Sequence, residues 1–340
     1  MALCVEDNWK VKSCLCVAII TALWVSGCSS IPSQSISASQ FEYNEHLRYS
    51  AKSQILHNIV GLQHYDAPFF LTASSVLSQL SKEGAVSTEL AIGPASNSDL
   101  GSLGGMMAFK ESPTITYLPL QGENYARLLL TPIPPPLVLA LIESGWPIDM
   151  LIELSVKSVN GVRNDGSGFG KFSVLTQLLV EMKKNHDFVI SIRKEQNSFQ
   201  AKFVINPNLD SDGLLRIERL RDMLRMTHPA SNEFHVVFNE YPTASNELGM
   251  VTRSLFEIMS ILGNGLKPYP NSNSTEFLRI FSSKNRPSDF YVMTRYRDNY
   301  YWIEAGDTRS EKAFLLTQLL LEINNSASSN PLPILSLGAL

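Results

Sequence analysis

Cysteine is missing from this chain after position 28: Cys4, Cys14, Cys16 and Cys28 are its only four. That absence excludes a disulfide framework and a thiolate metal cluster from everything that follows. Stability must come from a packed core, which a chain of 340 residues is long enough to bury. Basic excess is missing too. The 28 Lys and Arg stand against 32 Asp and Glu, which argues against a nucleic-acid partner. No apolar run reaches the roughly 20 residues of a membrane-spanning helix. The chain has no H-E-x-x-H, no G-x-S-x-G elbow, no dinucleotide fingerprint and no phosphate-binding loop. Its histidines are His46, His57, His64, His186, His228 and His235, and no carboxylate joins them at ligand spacing. His57 and His64, seven apart on one helix face, read as surface or partly buried. No metal site and no cofactor is expected.

The first segment is informative. Lys10 and Lys12 precede the almost uncharged stretch SCLCVAIITALWVSG, the length of a secretory h-region. Small Ser26 and Gly27 follow, then Cys28. The tetrapeptide VSGC resembles a bacterial lipobox, although Glu6 and Asp7 weaken the charge of the n-region. The resemblance implies cleavage before Cys28 and acylation of its sulfur and new amino group. Cys4, Cys14 and Cys16 then leave with a signal peptide at 1–27, and several acyl chains (palmitate among them) anchor firmly. SSIPSQSISASQ reads as a flexible tether, giving a lipidated segment at 28–40. Ser29 stands where an aspartate retains Gram-negative lipoproteins at the inner membrane. By resemblance to that sorting rule, the body is expected to face the periplasm from the outer membrane.

Residues 41–120 read as a helix followed by a hairpin. Leu47, Ala51, Ile55, Ile59 and Leu62 share one helical face, which Asp66 and Pro68 end. Val86, Leu90 and Ile92 alternate with Ser87 and Glu89. After a turn-rich tip, Leu103, Met107 and Phe109 alternate again, which predicts a hairpin over 85–109. Each arm has about eight alternating residues, just under the roughly 9–11 that cross a bilayer.

Residues 121–340 read as an α+β domain. Helices are expected at 122–130, after the TPIPPP break, and from Pro147 to Gly161, the last with Ser155 and Val159 on its buried face. NDGSGFG is expected as a loop. Further helices are expected at 171–184, 213–226, 252–263 and 308–324. Strands are expected at 187–205 as a hairpin, and at 233–239, 276–282, 289–296, 299–304 and 332–337. The pattern predicts a mixed, largely antiparallel sheet packed with several amphipathic helices. VLTQLLVEM at 174–182 echoes LLTQLLLEI at 315–323, as two similar core helices would.

Two clusters hold the remaining chemistry. Arg216 and Arg219, with Arg221 and Arg225, could meet an anionic head group. The interleaved Glu218 and Asp222 favour a solvated, salt-bridged face. Glu304 and Asp307 follow the aromatic strand NYYWI and offer a pair of acids to a glycan or polymer hydrolase. Strand propensity and helix capping account for the same residues without catalysis.

HNIVGLQHYDAPFFL (57–71), SPTITYLPLQGENYARLLL (112–130), SGWPIDMLIELSVKSVNGVRN (144–164), VTRSLFEIMSILGNG (251–265) and DFYVMTRYRDNYYWIEAGD (289–307) together resemble a family of uncharacterised bacterial envelope lipoproteins. The family has no established activity. The resemblance implies lipidation and one shared architecture, and carries no catalytic residue. The expected role is a lipid-anchored binding or scaffolding component without catalysis, held to the membrane by its anchor and to an envelope protein partner or a second copy. A pore or export subunit using the hairpin, or a hydrolase using Glu304 and Asp307, are the alternatives.

Overall fold

The computed structural model describes residues 33–90, 101–195, 198–226, 232–266, 277–326 and 334–337. Cys28, Ser29 and the expected signal lie outside them. The chain divides into two units, Met1–Ala51 and Lys52–Leu340. Helix α1 (Ser33–Gln63) begins inside the segment expected as a tether. Between Pro32 and Gly61 no Gly or Pro interrupts it. In the first unit Arg48 reaches Glu45 on an exposed turn. In the second unit Ile55, Leu56, Ile59 and Val60 are fully buried. The helix closes with Asp66 N–H on the Gly61 carbonyl and Tyr65 in the left-handed region (φ 65). Asn58 then pins the exit. Its amide donates to the Phe69 carbonyl at 2.8 Å and accepts the Phe69 N–H at 2.9 Å.

Strands β1 (Leu71–Leu90) and β2 (Gly101–Pro119) form the hairpin, with 20 and 19 residues rather than eight in each arm. The length objection to a bilayer-crossing hairpin therefore falls. The ladder runs from Leu71 opposite Pro119 to Leu90 opposite Gly101, with one irregularity between Ala73 and Ser75. Register places Val86 and Leu90 on the same face as Leu103, Met107 and Phe109, so the apolar alternations of both arms coincide.

Then follow α2 (Gly122–Leu130), α3 (Pro135–Glu143), α4 (Ile148–Ser155), β3 (Val156–Val159), β4 (Val162–Arg163) and α5 (Phe169–Lys184). Next come β5 (Phe188–Glu195), β6 (Ser198–Ile205), α6 (Ser211–Met223), β7 (Glu233–Val237), β8 (Glu247–Thr252) and α7 (Leu255–Gly263). The chain ends with β9 (Phe281–Ser283), β10 (Val292–Tyr296), β11 (Asn299–Ile303), α8 (Thr308–Ser326) and β12 (Ile334–Leu337). The fold is α+β. A six-stranded sheet has the order β4-β3-β8-β7-β6-β5 and is antiparallel except between β7 and β8. Three-stranded sheets β10-β11-β9 and β12-β1-β2 complete it. The helix echo is two core helices. Thr176 and Thr317, at equivalent places in the motif, are both buried and return their hydroxyls to the carbonyls of Phe172 and Ala313.

One expectation fails at position 155. The helix from Pro147 ends at Ser155, and Val156 starts a strand. Val156 and Val159 favour the extended chain, and Asn160-Gly161 forms a two-residue turn with both φ positive (45 and 76). Gly161 is doubly required, because a Cβ there would lie 2.5 Å from the Tyr241 ring. Strand β8 has no counterpart among the strands expected from the sequence. Gly249 interrupts its apolar run, yet a Cβ at 249 would meet the Asn239 carbonyl at 2.7 Å, so only glycine lets the two backbones approach. The segment expected as a loop at 164–170 is ordered by the buried Asn164, whose amide donates to the carbonyls of Glu153 and Val156 at 2.8 Å each. It passes through a 3-10 turn (Gly166–Gly168) into α5.

The core lies between the large sheet and helices α3, α4, α5 and α6. Leu139, Leu175, Phe203, Leu220, Phe234 and Met250 are among the residues around an apolar cavity of about 40 Å³.

Candidate functional site

At the β4-β3-β8 edge of the large sheet opens a cleft of about 390 Å³ lined largely by charge. Lys157 and Ser158 come from β3, where the ladder to β8 is irregular between Val156 and Ser158. Arg163 ends β4, and Asp165 follows it. Glu240 comes from the β7–β8 loop, which Glu247 folds by accepting from the Thr243 N–H, the Thr243 hydroxyl and the Ala244 N–H. Val251 comes from the end of β8, Arg253 from just after it, and Glu257 from the first turn of α7.

Arg253 is the buried charge of the cleft, 8% exposed. Its guanidinium donates to the carbonyls of Glu153 (2.8 Å) and Leu154 (3.0 Å), in the last turn of α4, and to that of Asn164 (3.1 Å). A cation there meets the negative end of the α4 dipole and satisfies carbonyls that the helix leaves open. Burial lowers its pKa, and nearby Glu257 and Asp165 oppose that shift. An arginine so placed remains charged.

The other charges are matched. Lys157 meets Glu257 at 2.5 Å. Arg163 grips Asp165 with two bonds, at 3.1 and 2.9 Å, and lies 3.6 Å from Glu240. Bonding to Arg163 holds the Asp165 carboxyl below its usual range. Glu257 also completes a capping box, accepting the Ser254 N–H at 2.9 Å while Ser254 Oγ accepts the Glu257 N–H at 3.4 Å. Burial pushes the Glu257 carboxyl up, but Lys157 and Ser254 outweigh it and hold the group below its ordinary value. A lowered carboxyl pKa stabilises the fold above the unfolded-state value and loses that contribution as pH falls through the folded-state value. Glu257→Gln is therefore expected to lower stability at neutral pH and to flatten its decline below about pH 4.5, read from urea midpoints across pH.

Chemically, this cleft offers two guanidinium groups and an ammonium against three carboxylates, each tied to a partner. It suits recognition of a polar, charge-balanced group. Lys157, the chain neighbour of Ser158, is bound to Glu257. None of the candidate residues that the sequence singles out lies here.

Asp307 caps α8, accepting the Ser310 hydroxyl at 2.7 Å, and pairs with Arg279 at 2.9 Å. Burial pushes its carboxyl up, but those partners hold it below the usual range. Glu304 is exposed and meets Asp307 through the backbone, its carbonyl accepting the Asp307 N–H. Arg216 makes a two-point bond to the buried Asp187, at 2.6 and 3.0 Å, across from α6 to the start of β5. Its partner is thus a distant residue rather than Glu218 or Asp222. Arg219 is exposed on the same helix.

His57 of α1 and His64, just past its end, converge on one tyrosine. His64 stacks on Tyr296 at 5.0 Å, and His57 meets the same ring edge-on at 5.3 Å. The Tyr296 hydroxyl donates to Asp66, and that bond raises its pKa. Among the described residues no group of three or more His, Cys, Asp or Glu could hold a metal ion, and no helix is long and apolar enough to cross a membrane.

The chain is thus an α+β protein with a charge-matched cleft and an unusually long hairpin. Comparison with protein-family models, with curated proteins and with solved structures finds no match.

Proposed function

We propose that this is a lipid-anchored envelope protein, facing the periplasm from the outer membrane, that binds or scaffolds another envelope component without catalysis. The observation that carries the binding role is the hairpin. Beyond Ser78, β1 and β2 pair only with each other among the described residues, so both outer edges remain open to a partner strand. Large apolar groups are also exposed at its base: Phe69 and Leu71 where β1 begins, and Leu118 and Tyr117 opposite Thr72 and Ala73. The matched charges of the cleft agree with recognition of a polar group. The anchor rests on VSGC and on the resemblance to envelope lipoproteins.

The anchor is tested by Cys28→Ser in a Gram-negative host. The expected product is an unprocessed precursor that takes up no labelled fatty acid. Normal processing and labelling of the variant would refute the reading.

A further inference from the structure

We infer that the strand which covers the hairpin's open edge is the hairpin of a second copy of this chain. Such pairing rests on the scaffolding reading and names its first partner. Three observations carry it.

The edges are open and complementary in direction. The outer edge of β1 is covered by β12 only from Ser75 to Ser78, in parallel register with Ile334 to Leu337. From Gln79 to Leu90 it has no partner strand among the described residues, and neither has the outer edge of β2 from Gly101 to Ser112. A two-stranded ribbon is only marginally stable in water, and arms of 20 and 19 residues extend roughly 65 Å at about 3.4 Å per residue. One copy's β2 beside the next copy's β1 continues the same antiparallel meander. Each copy supplies one edge of each kind, so addition runs head to tail and ends by closing a ring.

The charges specify a register. Inside one hairpin Lys82 stands opposite Phe109, and Glu83 opposite Ala108. Each charge is two positions short of its opposite, Glu111 and Lys110. Sliding a second copy's β2 by those two positions along β1 sets Lys82 opposite Glu111 and Glu83 opposite Lys110. Opposite charges directly across a ladder attract. A regular stagger between strands is also what closing a sheet requires.

The faces survive the slide. An even stagger keeps every residue on its face, so Val86 and Leu90 meet Met107 and Leu103 of the second copy. The joint has natural limits. Pro113 has no N–H to give and would stand opposite Leu80, next to the stretch that β12 covers. The ladder therefore runs from Ser81 opposite Ser112 to Leu90 opposite Leu103.

No cysteine follows Cys28, and the wild-type chain oxidised alongside reads any link that the first four cysteines make themselves. Full-length Ser81→Cys and Ser112→Cys chains, carrying tags of different size, are co-expressed, extracted in detergent and oxidised. The expected result is a mixed dimer joining the two tags, with neither variant linking to itself when expressed alone. Self-linking of either variant, or no mixed link, would overturn the inference. Light scattering of the wild-type protein in the same detergent should give a multiple of the protomer mass, and a protomer-sized particle would overturn it equally. Both readouts concern contacts between copies. The Cys28→Ser experiment reads lipidation, so either can fail without the other.

Discussion

Replacing Arg253 with methionine is expected to lower the unfolding free energy by about 3 kcal/mol, since unpaired buried carbonyls cost roughly 1–3 kcal/mol each. Methionine keeps much of the volume but donates nothing. The carbonyls of Glu153, Leu154 and Asn164 then lose their donor together. The loss is less than three full penalties because the cleft admits water, which can serve the outermost of them. Arg253→Lys should fall between the two. It keeps the charge at the end of α4 but not the planar fork that reaches three acceptors. Urea unfolding of the three proteins checks the order, and equal midpoints for wild type and methionine would show that Arg253 holds nothing together. Its backbone adds a further tie, with the N–H on the Ser155 carbonyl at 2.7 Å and the carbonyl accepting Ile133 N–H at 3.0 Å.

Phe234→Ala is expected to cost about 3–5 kcal/mol, at the upper end for a core phenylalanine. Phe234 is 1% exposed on β7, opposite Phe203 on β6. Its ring borders the apolar cavity of about 40 Å³. Neighbours that already leave a void cannot close over a larger one, so the enlarged hole persists. Phe314→Ala is the comparison. That ring is also fully buried, but it meets Tyr291 edge-on at 6.0 Å beside the small antiparallel sheet, away from the cavity. A Phe234→Ala loss no greater than that of Phe314→Ala would mean that the existing void does not add to the cost.

Much of the fold is legible in the sequence because local rules and tertiary packing agree. Pro132 and Pro134 separate α2 from α3, Pro135 and Pro136 suit the first turn of α3, and alternation marks β5 and β6. The misreadings occur where they disagree. Val76, Leu77 and Leu80 in the first half of β1 fall at spacings that suit a helix as well as a strand, so alternation reveals only the far half of the hairpin. The stretch from Met150 to Val159 is largely apolar, which hides the change from helix to strand at Ser155. The Asn160-Gly161 turn that reveals it is present in the sequence. The cleft is illegible for another reason. Its residues come from 157–165, 240 and 251–257, and their meeting depends on β8 lying beside β3. One local signal is available, the Ser254-to-Glu257 capping box. Helical spacing puts His57 and His64 on one face, but their shared contact, Tyr296, lies far along the chain.

Strand β12 imposes an order in time. It pairs Ser75 with Ile334 and Ser78 with Leu337. So distant a pairing forms slowly, because a long loop must close before the contact returns anything. In a chain delivered from its N-terminus, β1 and β2 can zip together as soon as both have emerged. The base of β1 then waits, bare on one side, while the large sheet and its helices are still being supplied. During that interval its unsatisfied edge is open to whatever strand arrives first. The nascent protein is thus most vulnerable to mispairing between the emergence of β2 and that of β12, and shielding by a holding chaperone matters most there.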